Sequence, residues 1–169
     1  MFDSCVLGVD PGIANTGLAA VARDGHRYRV LWSGTVRTPA GLAEAVRLRR
    51  LSEAVCAAIA EHRPETVAVE SVMWGKNRTS ALSVARATGV ILLAAADAGL
   101  AVEEYAPLEV KMAITGVGNA DKEQVRELLV RAHRVENVPE QADAADAVAV
   151  ALCHLQRARV RKQAGAAVR

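Results

Sequence analysis

An α/β fold is predicted by three features of this 169-residue sequence. Short apolar runs of strand length, partly β-branched and bounded by turn residues or acids, recur along the first two thirds of the chain. Longer stretches with apolar residues at helical spacing alternate with them, the pattern of helices packed on a sheet. A hydrophobic fraction of 51% supplies one good core, and the length suits one domain.

Cys5-Val6-Leu7-Gly8-Val9 reads as a buried strand stopped by the turn Asp10-Pro11-Gly12. Leu18 to Val21 and Tyr28 to Val36 are the next strands, parted by Asp24-Gly25, so the first three are expected to form an antiparallel meander. Gly41 to His62 follows as a helix, with Leu42, Val46, Leu51, Val55 and Ile59 on one stripe. Arg47, Arg49 and Arg50 fall largely off that stripe and are expected on a solvated face, a phosphate-facing role being the other reading. Trp32, inside a predicted strand, is assigned to core packing.

Thr66 to Val69 is a fourth strand, closed by Glu70. Ser80 to Ala98 reads as a helix that is apolar or small on most sides, which suits burial against the sheet and contact with a second subunit. Leu100 to Tyr105 is the fifth strand and Pro107 to Thr115 a short helix. Asn119 is the expected cap of a helix carrying Lys122 to Ala132. From Ala142 to Leu152 the chain is apolar on nearly every face, so this helix is expected to lie buried on the sheet.

Acids interrupt this pattern where they are costly. Asp10 and Glu70 close two buried strands, and ligands of open α/β sheets gather beyond the carboxyl ends of strands. Asp143 and Asp146 break the alanine-rich helix. Spaced i, i+3, they sit roughly 5 to 6 Å apart at Cβ. A preference for the positive end of a helix entered through Pro139 accounts for one acid of that pair, but two on one stripe point to function. Burying an unpaired carboxylate costs several kcal/mol, on the order of a domain's whole stability, so the set needs a cation or must take up protons. A divalent-metal site is the reading that fits.

Other chemistries are set aside by their missing residues. Gly8-Val9-Asp10-Pro11-Gly12 lacks the dinucleotide-binding glycine pattern, and Gly116-Val117-Gly118 is not followed by Gly-Lys-Ser/Thr. No serine sits in a nucleophile elbow. His26, His62, His133 and His154 are scattered and no zinc spacing exists. Oxygen-only ligation remains, the preference of Mg2+ or Mn2+. A net charge of +2 does not announce nucleic-acid binding, although Arg157, Arg159, Arg161, Lys162 and Arg169 follow one another without an acid. Residues 1–158 are expected to form the domain and 159–169 a basic, flexible tail. The cysteines, three in number without a Cys-x-x-Cys pair, and the lack of a secretory signal predict a reducing, cytoplasmic setting. The apolar run Val90 to Ala96 is too short to span a bilayer, so no membrane association is expected.

Taken in order, Gly8-Val9-Asp10-Pro11-Gly12 with Thr16-Gly17, Glu70 followed by Lys76-Asn77, Gly116-x-Gly118 with Lys122, and Gln141-Ala142-Asp143-Ala144-Ala145-Asp146-Ala147 resemble the RuvC family of Holliday-junction resolvases. The resemblance runs from residue 5 to residue 158. It implies an RNase H-like fold: a five-stranded mixed sheet, its first three strands antiparallel, flanked by helices. It implies that Asp10, Glu70, Asp143 and Asp146 bind two Mg2+ ions, with Mn2+ as a substitute and Asp10 bridging both. Lys111 and Lys122 match lysines placed near the scissile phosphate, where they offset charge on the phosphoryl oxygens. Lys76, Asn77 and Arg78 are expected to hold backbone phosphates. Family members carry a phenylalanine three residues after the glutamate to stack on an unpaired base. This chain has Met73 there, followed by Trp74, and the wedge is assigned to the two jointly.

The implied reaction is paired, symmetric incision of a four-way DNA junction, leaving 5′-phosphate and 3′-hydroxyl ends, in recombination and repair. A homodimer suits the junction's two-fold symmetry, with Ser80 to Ala98 as its seam. RuvA and RuvB are the implied branch-migration partners. The alternatives are a nuclease of the same chemistry acting on duplex DNA or an RNA hybrid, a non-catalytic junction binder, and an actin-like nucleotide-binding domain in which Asp10 orients phosphate-bound Mg2+.

Overall fold

A computed structural model describes residues 2–71 and 78–167 of the chain. The elements run β1 (Ser4–Asp10), β2 (Asn15–Asp24), β3 (Arg27–Arg37), α1 (Glu44–His62), β4 (Thr66–Glu70), α2 (Arg78–Asp97), β5 (Ala101–Tyr105), α3 (Pro107–Thr115), α4 (Lys122–Arg131), β6 (Val135–Glu136) and α5 (Ala142–Ala167). One mixed sheet carries them, in the order β5-β4-β1-β2-β3-β6.

The meander of β1, β2 and β3 is antiparallel, as the turn residues predict. β1 is central: it pairs antiparallel with β2, Asp10 opposite Gly17, and parallel with β4, Gly8 opposite Ala68. β4 in turn pairs parallel with β5, Glu70 opposite Tyr105. Asp10 and Glu70 therefore finish neighbouring parallel strands at the same end of the sheet.

Four details depart from the sequence expectation, the first being that α5 continues as helix to Ala167, through residues expected to form a tail. The sheet has six strands rather than five, because Val135–Glu136 adds a short parallel pairing to Tyr28–Arg29, held by a 2.6 Å ion pair from Arg29 to Glu136. Two residues carry no periodicity to detect. β2 and β3 are longer than predicted, since the alanines of β2 give no strand signal and the ladder shifts register between Ala20 and Val21. The cap of α4 is Asp121, not Asn119: its carboxylate accepts from the Gln124 N–H at 2.9 Å while Gln124 accepts from the Asp121 N–H at 3.1 Å, a reciprocal capping box.

Strand alternation sorts the side chains to two faces. Val6, Ala19 and Ala68 meet α5, whose Ala147, Val148, Ala151, Leu152 and Leu155 are buried. Leu7, Val9, Leu18, Val67 and Val69 point the other way, against Leu51, Val55 and Ile59 of α1 and Ala87 and Ile91 of α2. Trp32 packs partly buried against this second core with its ring stacked on His62 at 5.2 Å. α3 and α4 lie against α5. Among the described residues no helix is long and apolar enough to cross a membrane.

Candidate metal centre

Asp10 lies two residues beyond Gly8, and Glu70 two beyond Ala68, so the period of a strand turns both acids toward the α5 face. What lets α5 approach is glycine. A Cβ at Gly8 would stand 2.1 Å from the Ala147 carbonyl oxygen, and one at Gly17 would stand 1.8 Å from that of Asp143. Backbone therefore rests on backbone, and the first turns of α5 come down beside Asp10 carrying Asp143 and Asp146.

Asp10, Glu70, Asp146, Lys111 and Lys122 line a cavity of about 140 Å3. Asp143 faces a neighbouring groove of about 420 Å3, between the residues following Asp10 and Ser83–Val84 of α2. It is still within electrostatic reach of the others, helping to raise the pKa of both Asp10 and Lys122. The acid cluster thus straddles the N-terminus of α5.

Burial is the main reason that Glu70 holds its proton up to about 8, with the Asp10 charge and the hydrogen bond to Asp10 adding to it. Asp10 is also raised, first by burial, while its hydrogen bond with Glu70 pulls the other way. Both carboxyls are thus shifted toward the protonated form by the same burial. Lys122 bonds directly to Asp146, and that bond, more than the surrounding negative charge, raises its pKa. Among the described residues no three Asp, Glu, His or Cys side chains stand ready as a metal cage. Lys122 is the cation paired with the cluster, through Asp146. The donors are nevertheless all hard oxygens, three of them around one cavity and Asp143 on the adjoining groove, which is the ligand chemistry of Mg2+ and Mn2+.

The wedge and phosphate assignments to Met73, Trp74, Lys76 and Asn77 lie outside the described residues, and Arg78 is the first residue of α2. Arg49 and Arg50 are exposed as expected, Arg49 with a 3.6 Å pairing to Glu53. Arg47 is not on a solvated face: it hydrogen-bonds the connection between β1 and β2. A helical stripe shows where a side chain leaves its helix, not which loop passes beneath it, so periodicity gave no signal for this role.

The family model described as crossover junction endodeoxyribonuclease RuvC matches residues 6–154. The chain belongs to the RuvC family. Among its curated relatives, the RuvC of Heliobacterium modesticaldum is 46% identical over 148 residues, covering 88% of this chain and 91% of the relative. That of Brevibacillus brevis is 41% identical over 151 residues, covering 89% and 91%. In three dimensions the chain is similar to T. thermophilus RuvC in complex with a Holliday junction substrate, with a TM-score of 0.85 at 35% identity, covering 93% of this chain and 96% of the other. The RNase H-like expectation is met by this family architecture and by the mixed sheet, whose first strands are antiparallel.

Proposed function

We propose that Asp10, Glu70, Asp143 and Asp146 hold divalent cations, two Mg2+ ions per site with Mn2+ as a substitute, and that the chain resolves four-way DNA junctions by paired incision. Family membership supplies the reaction class, phosphodiester cleavage. The observation that carries the site is the single cavity where Asp10, Glu70 and Asp146 meet Lys111 and Lys122 at the ends of β1 and β4. Held by these carboxylates, divalent ions would supply activation of a water and stabilisation of the departing 3′ oxygen.

The residues divide that task by position. Asp10, on the central strand between Glu70 and the α5 acids, would be the ligand common to both ions. Glu70 must give up its proton before it ligates, which couples loading to proton release. Lys122, drawn off Asp146, and Lys111 would offset charge growing on the phosphoryl oxygens at the mouth of this cavity. Met73 and Trp74 remain the proposed wedge at the crossover, with Lys76, Asn77 and Arg78 on the flanking phosphates.

A homodimer presents two such sites to a two-fold junction. Leu82, Gly89 and Leu93 support α2 as the seam: all three are exposed, and their spacing puts them on one side of the helix. Action on DNA inside the cytoplasm, beside RuvA and RuvB, completes the reading.

The decisive comparison is incision of a synthetic four-way junction, a linear duplex and an RNA–DNA hybrid by one enzyme sample with Mg2+. Paired nicks confined to the junction are expected. Asp143→Asn should slow incision by on the order of a thousandfold, since several kcal/mol of transition-state stabilisation go with a metal ligand, while junction binding is largely kept. Equal cutting of duplex or hybrid would remove the substrate assignment.

A further inference from the structure

Arg47 leaves α1 against the connection between β1 and β2. Its Nε donates to Thr38 Oγ1 at 3.0 Å, and its Nη2 donates to the carbonyl oxygens of Ile13 at 3.0 Å and Thr38 at 3.1 Å. Thr38, only 4% exposed, extends the grip: its hydroxyl donates to the Ile13 carbonyl and its N–H to the Ala14 carbonyl at 2.9 Å. From the other side the buried Thr16 hydroxyl donates to the Gly12 carbonyl, closing the turn that begins at Asp10. Gly12 fits there because a Cβ would stand 2.2 Å from the Asn15 carbonyl oxygen. A planar guanidinium fork reaching two backbone segments at once sets an orientation that a lysine's point charge would not.

The loop held in this way forms one wall of the groove of about 420 Å3. Ser83 and Val84 of α2 form the other, and Asp143 lies on its lining. The rest of the acid cluster opens into the separate cavity that contains both lysines. Cutting a phosphodiester needs room for the strand on both sides of the broken bond. On the junction-cleavage reading the lysine cavity would serve one side, and this groove, across the N-terminus of α5, would be the space on the other.

We propose that Arg47 is a positioning residue for strand cleavage, holding the Gly12–Asn15 loop as the wall of a groove that carries the substrate strand past the Asp143 side of the acid cluster. The inference rests on the junction-cleavage reading, and its test separates the two. Full-length Arg47→Met, Arg47→Lys, Thr38→Val and the Arg47→Met/Thr38→Val double variant are compared with wild type. The readouts are single-turnover incision in Mg2+, junction affinity in Ca2+, and amide hydrogen exchange across Gly12–Asn15.

Arg47→Met should incise on the order of tenfold to a hundredfold more slowly, as expected when a reacting strand is misplaced by about an ångström. Affinity should change far less than rate, and Arg47→Lys should recover only part of the loss. The double variant should be no slower than Arg47→Met alone, because both residues act through one network. Exchange at the loop amides should quicken. Wild-type incision by Arg47→Met, losses that simply multiply in the double variant, or affinity falling in step with rate would overturn the proposal. Should Arg47→Met not fold, Arg47→Lys and Thr38→Val decide on the same rate and affinity criteria. Unchanged loop exchange overturns the clamp regardless of activity, whereas a wild-type chain that leaves junctions intact counts against the cleavage reading.

Discussion

The two faces of the sheet are packed by opposite rules. On the α1 and α2 side, Leu7, Val9, Leu18, Val67 and Val69 hold the helices off with bulky side chains. On the α5 side, Gly8 and Gly17 bring a helix backbone directly onto the strands. Side chains that interdigitate tolerate small shifts by changing rotamers, but carbonyl oxygens pressed against glycine Cα atoms do not. The rigid face is also the one that carries Asp10, Glu70, Asp143 and Asp146. Coarse packing serves stability where no chemistry occurs, and close backbone contact sets distance where charges must converge.

Breaking the rigid face should have the largest effect. Gly17→Ala pushes a methyl group into the Asp143 carbonyl, so α5 must retreat. We expect about 1–3 kcal/mol of lost stability by denaturant titration, together with incision slowed on the order of a hundredfold in the folded fraction. An equal insult to the other face should separate these consequences. Ile91→Ala, at a fully buried site, should cost about 2–5 kcal/mol yet leave incision by the folded enzyme within about twofold of wild type. Slow incision in Ile91→Ala would mean that the faces are not independent.

The smallest effect sharpens the contrast through protons. Glu70 keeps its proton to about 8 in the fold against a usual value of 4.5, so it favours the folded state fully below 4.5, and that contribution is lost as pH rises through about 8. Metal-free protein should therefore show a melting temperature that falls over this window. Mg2+ should flatten the slope and bind more tightly toward pH 8, because ligation needs the proton gone. Glu70→Gln should flatten the part of the slope that approaches pH 8, leaving the contribution of the raised Asp10, and an unchanged slope in that variant would place the proton elsewhere.

Much of this was legible in the sequence for physical reasons. Acids closing Cys5–Val9 and Thr66–Val69 had to lie at the carboxyl ends of strands, and alternation fixed their side. Asp143 and Asp146 stood out because alanines surround them. Their division between two openings was hidden: residues i and i+3 differ by about 60° around a helix, and which groove each meets depends on how flat that helix lies. The glycines that decide this touch atoms far away in sequence, at Ala147 and Asp143. Arg47 escaped for the same reason, its partners Ile13 and Thr38 being tied to it only by the fold.

The lower half of α5 completes the picture. Arg157 pairs with Glu109 of α3 at 2.9 Å, and Gln156 donates at 3.0 Å to His133, whose other ring nitrogen donates to the Ile114 carbonyl at 2.7 Å. One rod therefore bears two of the acids near its start and, further along, grips on the helix of Lys111 and the loop that follows the helix of Lys122. The helices that carry the lysines are thus moored to the one that carries Asp143 and Asp146, and Gly8 and Gly17 set how near that whole assembly stands to Asp10 and Glu70, as a stop sets the opening of a caliper.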